Sequence, residues 1–361
     1  MKVLAEYSRG RDNNFNLIRL VAALMVMWNH SYAIAGVSEA EEPLARLIGM
    51  GSSFIAVNVF FVISGYLVTA SLCRSKTLLA YVEARFLRIF PGLFLCVAFT
   101  SLVIGGLFTS LSAIQYYRSR ELWDYVIVNS TLLVDKIQLR YYLPGVFANN
   151  PLAGTVNGSL WTLPYEVWLY VGLAGVGLLG LLKRTNLSSL LLAGLLAFDL
   201  SIMFFFPTNA LVAKFDNVER FCLYFFLGAA IYLNRARVPL SGPILLILCA
   251  VTAIVWRTGF AKFLSPFTLA YLVFWLAYVP RGVVRLYNRV GDLSYGTYIY
   301  AWPVQQVIVT FVSAVQPLFL FLLALPVTLS VAAISWHLVE KRALARKGVL
   351  LRAVQGRRAE A

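Results

Sequence analysis

Charge is scarce in this sequence. Of 361 residues, 13% are charged and 60% are hydrophobic, whereas an ordinary soluble domain is about 25% charged and about 45–50% apolar. A soluble chain of this length would form two or three domains with a charged surface to match. There are too few charges to coat one, and a mean hydropathy of +0.77 agrees that this is an integral membrane protein. Histidine is down to two residues, which all but excludes a His-based zinc site. The four cysteines, Cys73, Cys96, Cys222 and Cys249, are scattered with no CxxC pair. Neither a metal site nor a disulfide framework is indicated, and they read as inert packing residues. A Gly-rich phosphate loop, metal-ligand spacing, a Ser–His–Asp signature, internal repeats and low-complexity tracts are all missing.

What the chain has instead is long apolar runs. A bilayer-spanning helix needs roughly 17–25 residues, and ten stretches qualify: 17–36, 54–72, 89–109, 161–182, 187–206, 217–233, 240–256, 263–279, 293–312 and 317–337. Helices are the form expected, because backbone amides in hydrocarbon must be satisfied within the segment. The net charge of +15 would suggest nucleic acid in a soluble protein, but here it reads as basic loops held on the cytoplasmic side. The N-terminus, the even-numbered connections and the C-terminal tail hold 21 of the 31 Lys and Arg residues. The expectation is an all-α membrane protein of ten transmembrane helices with both termini cytoplasmic and no nucleic-acid partner. The first run carries Arg19 and His30, so it is read as an uncleaved helix rather than a signal peptide. Residues 1–340 are expected to form a single transmembrane domain, with 110–160 as an organised outer cap, and 341–361 a basic cytoplasmic tail.

The few charges inside spans are candidates for function, since burying them in a bilayer is costly. Arg19 and His30 lie eleven residues apart on the first helix, about three turns, and therefore share a face. Arg19 near the inner surface reads either as a functional group or as a snorkelling side chain. His30 reads either as a general base or as a hydrogen-bonded core histidine. Measured from the outer ends of their spans, His30, Glu166 and Asp199 lie at similar depths of about 8–10 Å. A carboxylate beside the imidazole would fix its tautomer and raise its basicity. A structural polar cluster that glues helices together is the alternative. On the inner side, Arg85 and Arg88 are three apart and could form a two-pronged anion site, or serve topology alone. His337 reads as a helix-end residue.

Set in order, these pieces resemble the membrane-bound acyltransferase family 3 over about residues 13 to 342. The resemblance rests on Arg19, ten residues, then His30; on Phe60-Phe61-Val62-Ile63-Ser64-Gly65-Tyr66-Leu67; and on Arg85-x-x-Arg88. It continues in Asn157-Gly158-Ser159-Leu160-Trp161-Thr162-Leu163-Pro164-Tyr165-Glu166, in Gly291-Asp292-Leu293-Ser294-Tyr295-Gly296-Thr297-Tyr298, and in Val339-Glu340. One departure stands out: Ala301 occupies a position where many members carry a His. The family also includes members with an appended hydrolase-like domain that this chain does not carry, which implies direct transfer or a separate partner protein.

The resemblance implies an O-acyltransferase of the bacterial inner membrane, of the kind that acts on O-antigen or exopolysaccharide. Acyl-CoA, most simply acetyl-CoA, would be a co-substrate rather than a resident cofactor. The acceptor would be a carbohydrate or lipid-linked saccharide. CoA phosphates would meet Arg85 and Arg88, with Arg19 near the entrance, and His30 would act as general base with Glu166 or Asp199 orienting it. No metal is expected. The other functions that fit the pattern are a polysaccharide or lipid transporter and an acyl conduit serving a separate transferase. The lack of two related halves counts against the transporter.

Overall fold

The computed structural model describes residues 2–349 except 9, 11, 133–138, 181–193 and 195–209. Among these residues the structure is helical, with only isolated β-bridges between extended residues. The main helices are α1 (Phe15–Ile34), α2 (Ser52–Arg74), α3 (Leu78–Ala98), α4 (Arg120–Thr131), α5 (Leu163–Leu178), α6 (Ala210–Leu233), α7 (Gly242–Val255), α8 (Ala261–Tyr278), α9 (Ser294–Phe311) and α10 (Pro317–Ser335). Helix α3 runs on through a π-helical segment, Phe99–Ile104, to Phe108, and α10 through a second, Trp336–Glu340, to Ala345.

Five helices among the described residues are long and apolar enough to cross a bilayer: Phe15–Ile34, Ser52–Arg74, Leu78–Phe108, Ala261–Tyr278 and Pro317–Ala345. The remaining apolar stretches fall short of that standard for identifiable reasons. Helix α5 has 16 residues and α7 has 14. Helix α6 carries Lys214, Asp216, Glu219 and Arg220. Helix α9 is long enough but polar, and nearly every residue from Ser294 to Gln306 is buried in protein. Such a helix can carry Gln305 and Gln306 because protein, not lipid, surrounds it. The stretch 187–206 lies, but for Gly194, outside the described residues. On α7 and α10 the outward residues, among them Ile247, Ile254, Phe319, Leu322 and Ile334, remain exposed, as lipid-facing surfaces must be.

The chain groups into two compact units, built from the described parts of Met1–Arg19, Val57–Ser75 and Tyr165–Val290, and of Leu20–Ala56, Lys76–Pro164 and Gly291–Ala361. In the first, α2 and α6 touch backbone to backbone. A Cβ on Gly65 would lie 1.8 Å from the Phe225 carbonyl oxygen, and one on Gly228 would lie 2.1 Å from that of Val62. With no hydrophobic drive between helices in lipid, close approach through small residues is what dispersion forces require. Phe61 stacks on Phe221 at 4.2 Å, and Phe15 packs edge-on against Phe274 and Tyr278. Asn14, just ahead of α1, donates to the carbonyls of Leu276 (2.9 Å) and Pro280 (3.0 Å), which are freed at the end of α8.

In the second unit α9 is the core, paired with α10. A Cβ on Gly296 would lie 2.9 Å from Ala332 Cα. The π-helical turn of α3 leaves carbonyls without their usual partners, and two tyrosines of the segment 110–160 supply donors. Tyr116 Oη donates to Ser101 O and Tyr117 Oη to Leu102 O, both at 2.7 Å. Burial pushes the Tyr116 phenol up from its ordinary value, which keeps it a donor. Gly105 and Gly106 make room, since a Cβ on them would fall 1.9 Å and 2.1 Å from those two hydroxyls. Part of the stretch expected as a cytoplasmic tail is helical, Lys341–Ala345, and Gly348 N donates to Glu83 Oε2 at 2.9 Å.

Because the Gly65 contact is with backbone, Gly65→Ala should lower the thermal unfolding midpoint in detergent by the equivalent of about 1–3 kcal/mol. Gly172→Ala and Gly175→Ala, where a Cβ meets nothing within 4 Å, should leave it unchanged or raise it. Equal midpoints for Gly65→Ala and Gly172→Ala would contradict the close approach.

Candidate functional site

His30 sits in the last turn of α1. That turn is closed by Gly36 in the left-handed region (φ 77°), with Gly36 N bonded to Ala33 O and Val37 N to Tyr32 O, a C-terminal cap that favours glycine. Around it the helix is buried, with Met27 and Ile34 fully covered and Asn29, Ser31 and His30 nearly so. His30 Nδ1 lies 3.5 Å from Ser159 Oγ. Its ring meets the Trp302 ring edge-on, with centroids 4.7 Å apart and planes at 72°. The contact to Ser159 is long for a hydrogen bond, yet it points Nδ1 at a hydroxyl and leaves Nε2 to other work.

The segment Asn157-Gly158-Ser159 builds this site one residue at a time. Pro303 has no N–H to offer the carbonyl of Ile299, four residues before it in α9. Asn157 Nδ2 donates to that carbonyl at 2.8 Å, and the Cys96 thiol approaches it at 3.3 Å. Gly158 lets the Trp302 ring lie flush, because a Cβ there would come within 2.6 Å of it. Ser159 then reaches His30. Trp302 Nε1 donates to Thr155 O at 3.0 Å, fixing the ring from its far side. The segment was recognised in the sequence only as part of a resemblance; its separate duties appear once α9 is packed against it.

A buried carboxylate adjoins this site that sequence reasoning missed. Glu42 is 1% exposed. Its Oε2 accepts from Asn29 Nδ2 (3.0 Å) and from Ser52 N at the start of α2 (2.8 Å), where a helix N-terminus favours negative charge. Ser53 Oγ donates to Asn29 Oδ1 at 2.6 Å. In the sequence, Glu42 looks like one more acid of a loop that also holds Glu39 and Glu41. The Pro43 that follows it and opens a helical turn is the only hint that it is a structured position.

The expected site residues are placed as follows. Arg19 is half-buried in the second turn of α1. Glu166, in the first turn of α5, accepts from Ser64 Oγ at 3.0 Å and, through a short contact, from the Tyr170 hydroxyl. Asp199 lies outside the described residues. Arg85 and Arg88 lie three residues apart in α3. Arg88 Nη2 donates to Asp292 Oδ2 at 2.7 Å, and Nη1 lies 3.9 Å from Glu340 Oε2. Both carboxylates are themselves bound, Asp292 by Ser294 Oγ (2.5 Å) and Glu340 by Ser335 Oγ (2.9 Å). The Arg88 guanidinium also lies 5.6 Å from the centre of the Tyr295 ring. Arg88 thus ties α3 to the start of α9 and the end of α10. Ala301 is buried in an apolar cluster with Met27, Val304 and Ala324. Its methyl packs within that cluster. Among the described residues no group of His, Cys, Asp and Glu could hold a metal ion.

A family model described as acyltransferase domain, of the acyltransferase-3 type, matches residues 12–337. An O-acetyl transferase of Shigella phage Sf6 is 30% identical over 93% of this chain and 97% of its own length. Nodulation protein 10 of Rhizobium leguminosarum bv. viciae is 30% identical over 94% and 95%. No solved structure matches. A family model spanning Arg19, His30, Arg85, Arg88, Glu166 and the α9 block, on an all-helical chain with apolar spans, shows that this protein belongs to acyltransferase family 3 and is a membrane acyltransferase.

Proposed function

We propose that the chain transfers an acyl group, acetyl in the first instance, from cytoplasmic acyl-CoA to a hydroxyl of a cell-surface polysaccharide or lipid-linked saccharide. The observation that carries this reading is the buried His30, its Nδ1 turned to Ser159 and its ring held by Trp302. With Ser159 accepting from Nδ1–H, Nε2 is left as the base. It takes the proton of the acceptor hydroxyl as that oxygen attacks the thioester carbonyl. The tetrahedral intermediate then collapses with loss of the CoA thiolate, which takes up the proton from the imidazolium. In this reading Ser159 does the orienting work first assigned to a carboxylate, while Glu166 and Asp199 remain candidates for polar groups lining the acceptor route.

The donor phosphates require fixed positive charge at the inner face. Arg88 is engaged by Asp292 and Glu340; Arg85, three residues before it on the same helix, is our candidate for the phosphate contact, with Arg19 near the donor entrance. The protein is taken to lie in the bacterial inner membrane as a multi-pass chain of ten spans with both termini cytoplasmic. The name of one relative, an O-acetyl transferase, supports oxygen as the acceptor atom.

The deciding experiment uses purified protein in lipid with labelled acetyl-CoA and an oligosaccharide acceptor. Labelled saccharide supports transfer, whereas CoA release with no labelled saccharide would point to a conduit that feeds another transferase. His30→Ala should lower the transfer rate by about 10²-fold or more; an unchanged rate rejects the base assignment. Arg85→Ala should raise the KM for acetyl-CoA about tenfold, the loss of one charge-assisted contact worth about 1.5–3 kcal/mol. Arg88→Ala should instead lower the thermal midpoint by the equivalent of about 3 kcal/mol, since it leaves two buried carboxylates without their cation. A normal midpoint for Arg88→Ala with impaired donor binding would return Arg88 to the phosphate site.

A further inference from the structure

The segment 110–160 does more than cover α3. Between α4 and residues 139–144 it forms an open cavity of about 650 Å³, lined by Glu121, Asp124, Arg140, Tyr141, Tyr142 and neighbouring apolar groups. This size falls within the ordinary range of small-ligand sites, about 300–1,000 Å³. Its frame is held from beneath. The fully buried Asn129 clamps the backbone of Arg140, accepting from its N–H at 3.0 Å and donating to its carbonyl at 2.8 Å. Arg140 Nε then donates to Asp124 Oδ2 at 2.7 Å, with both side chains about half exposed.

Tyr142 is the notable residue of the rim. It is 66% exposed, although it is a large aromatic in a protein with lipid to spare for such groups. One side of its ring lies on Gly154, where a Cβ would come within 2.5 Å of two ring carbons. Gly154 adopts φ 74°, a left-handed conformation that independently favours glycine. The ring is therefore backed by main chain and leaves the rest of its surface open, as an aromatic platform does.

The chemistry of the lining selects among ligands. Two carboxylates against one arginine, itself paired to one of them, repel a phosphate-bearing molecule such as the acyl donor. They suit a neutral polyol: carboxylates accept from hydroxyls, the guanidinium donates to hydroxyl and ring oxygens, and an exposed aromatic face packs against the apolar C–H face of a pyranose. The cavity is also tied to the His30 site. Tyr142 forms a β-bridge with Thr155, and Val156 N donates to Tyr141 O at 2.9 Å. Thr155 O in turn accepts from Trp302 Nε1 and from Gln306 Nε2, and the Trp302 ring abuts His30.

We propose that this cavity is a saccharide subsite that holds part of the acceptor, with Tyr142 as its stacking platform and Asp124, Glu121 and Arg140 as its hydroxyl partners. The assignment of the sugar as acceptor rests on the reading of His30 given above; the saccharide chemistry of the cavity does not. The test is saturation-transfer difference NMR on the full-length protein in lipid nanodiscs, using neutral tetrasaccharides of glucose, rhamnose and N-acetylglucosamine as probes. At least one should bind. Its affinity should fall tenfold or more in Tyr142→Ala and in Asp124→Ala and stay within twofold in Tyr142→Phe, with thermal midpoints confirming that each variant is folded. Binding by none of the probes, or binding unaltered in both Tyr142→Ala and Asp124→Ala, overturns the subsite. Saccharide bound through Tyr142 by a protein that moves no acetyl group from acetyl-CoA upholds the subsite and rejects the transfer mechanism alone.

Discussion

The carbonyl of Ile299 cannot be satisfied by its own helix, because Pro303 stands where the donor should be. In water that would matter little. Inside a bilayer-embedded protein each unsatisfied backbone group costs several kcal/mol, so something must be built to meet it. Asn157 is what meets it, assisted by the Cys96 thiol. The same demand recurs elsewhere: Tyr116 and Tyr117 answer the carbonyls of the π-helical turn in α3, and Asp292 and Glu340 answer the Arg88 cation. Polar groups in this fold are placed where a neighbouring helix has left a debt of hydrogen bonding.

That constraint also shapes the candidate site around His30. Once Asn157 is anchored to α9, the next two residues have little freedom: Gly158 lies under Trp302 and Ser159 faces His30. A structural hydrogen bond thus positions the contact with His30 two residues away. The ring that fixes His30 from the other side, Trp302, immediately precedes Pro303, so the helix break and the imidazole wall occupy consecutive positions. Trp302 and Gln306, one turn apart, both hold Thr155, which carries the order of α9 outward to the Tyr142 region. In the mechanism proposed above, rigidity of this kind serves the base, since its usefulness depends on an angle and a distance to a hydroxyl that arrives only briefly.

Glycine supplies the second requirement, closeness. Gly65 and Gly228 let α2 and α6 meet at their backbones, Gly296 lets α9 meet α10, and Gly105 and Gly106 admit two tyrosine hydroxyls. Each contact lets dispersion act where the hydrophobic effect between helices is absent. Glycine costs helix propensity, about 1 kcal/mol relative to alanine. Its presence inside apolar helices therefore marks positions where contact outweighs that cost, in contrast to Gly172 and Gly175, which have open space beside them.

Much of this was legible from composition and spacing. The lack of charge required a lipid environment, the long apolar runs located helices α1, α2, α3, α8 and α10, and the rarity of intramembrane charge drew attention to Arg19, His30, Glu166 and the Arg85–Arg88 pair. The stretch 293–312 located α9 as well, although that helix is free to be polar because protein encloses it. Partnerships were beyond reach, since Ser159 meets His30 across 129 residues and Asp292 meets Arg88 across 204, and no local pattern encodes either separation. Glu42 went unnoticed for the same reason: an acid in a loop is ordinary until Asn29 and the start of α2 close over it. By itself the sequence determined which residues are too costly to bury without purpose. Only the tertiary structure decided which of them are neutralised as structural ties, as Arg88 is, and which, like His30, are buried against a hydroxyl and an indole ring. That choice depends on what packs against each group, and packing is settled by contacts between distant parts of the chain.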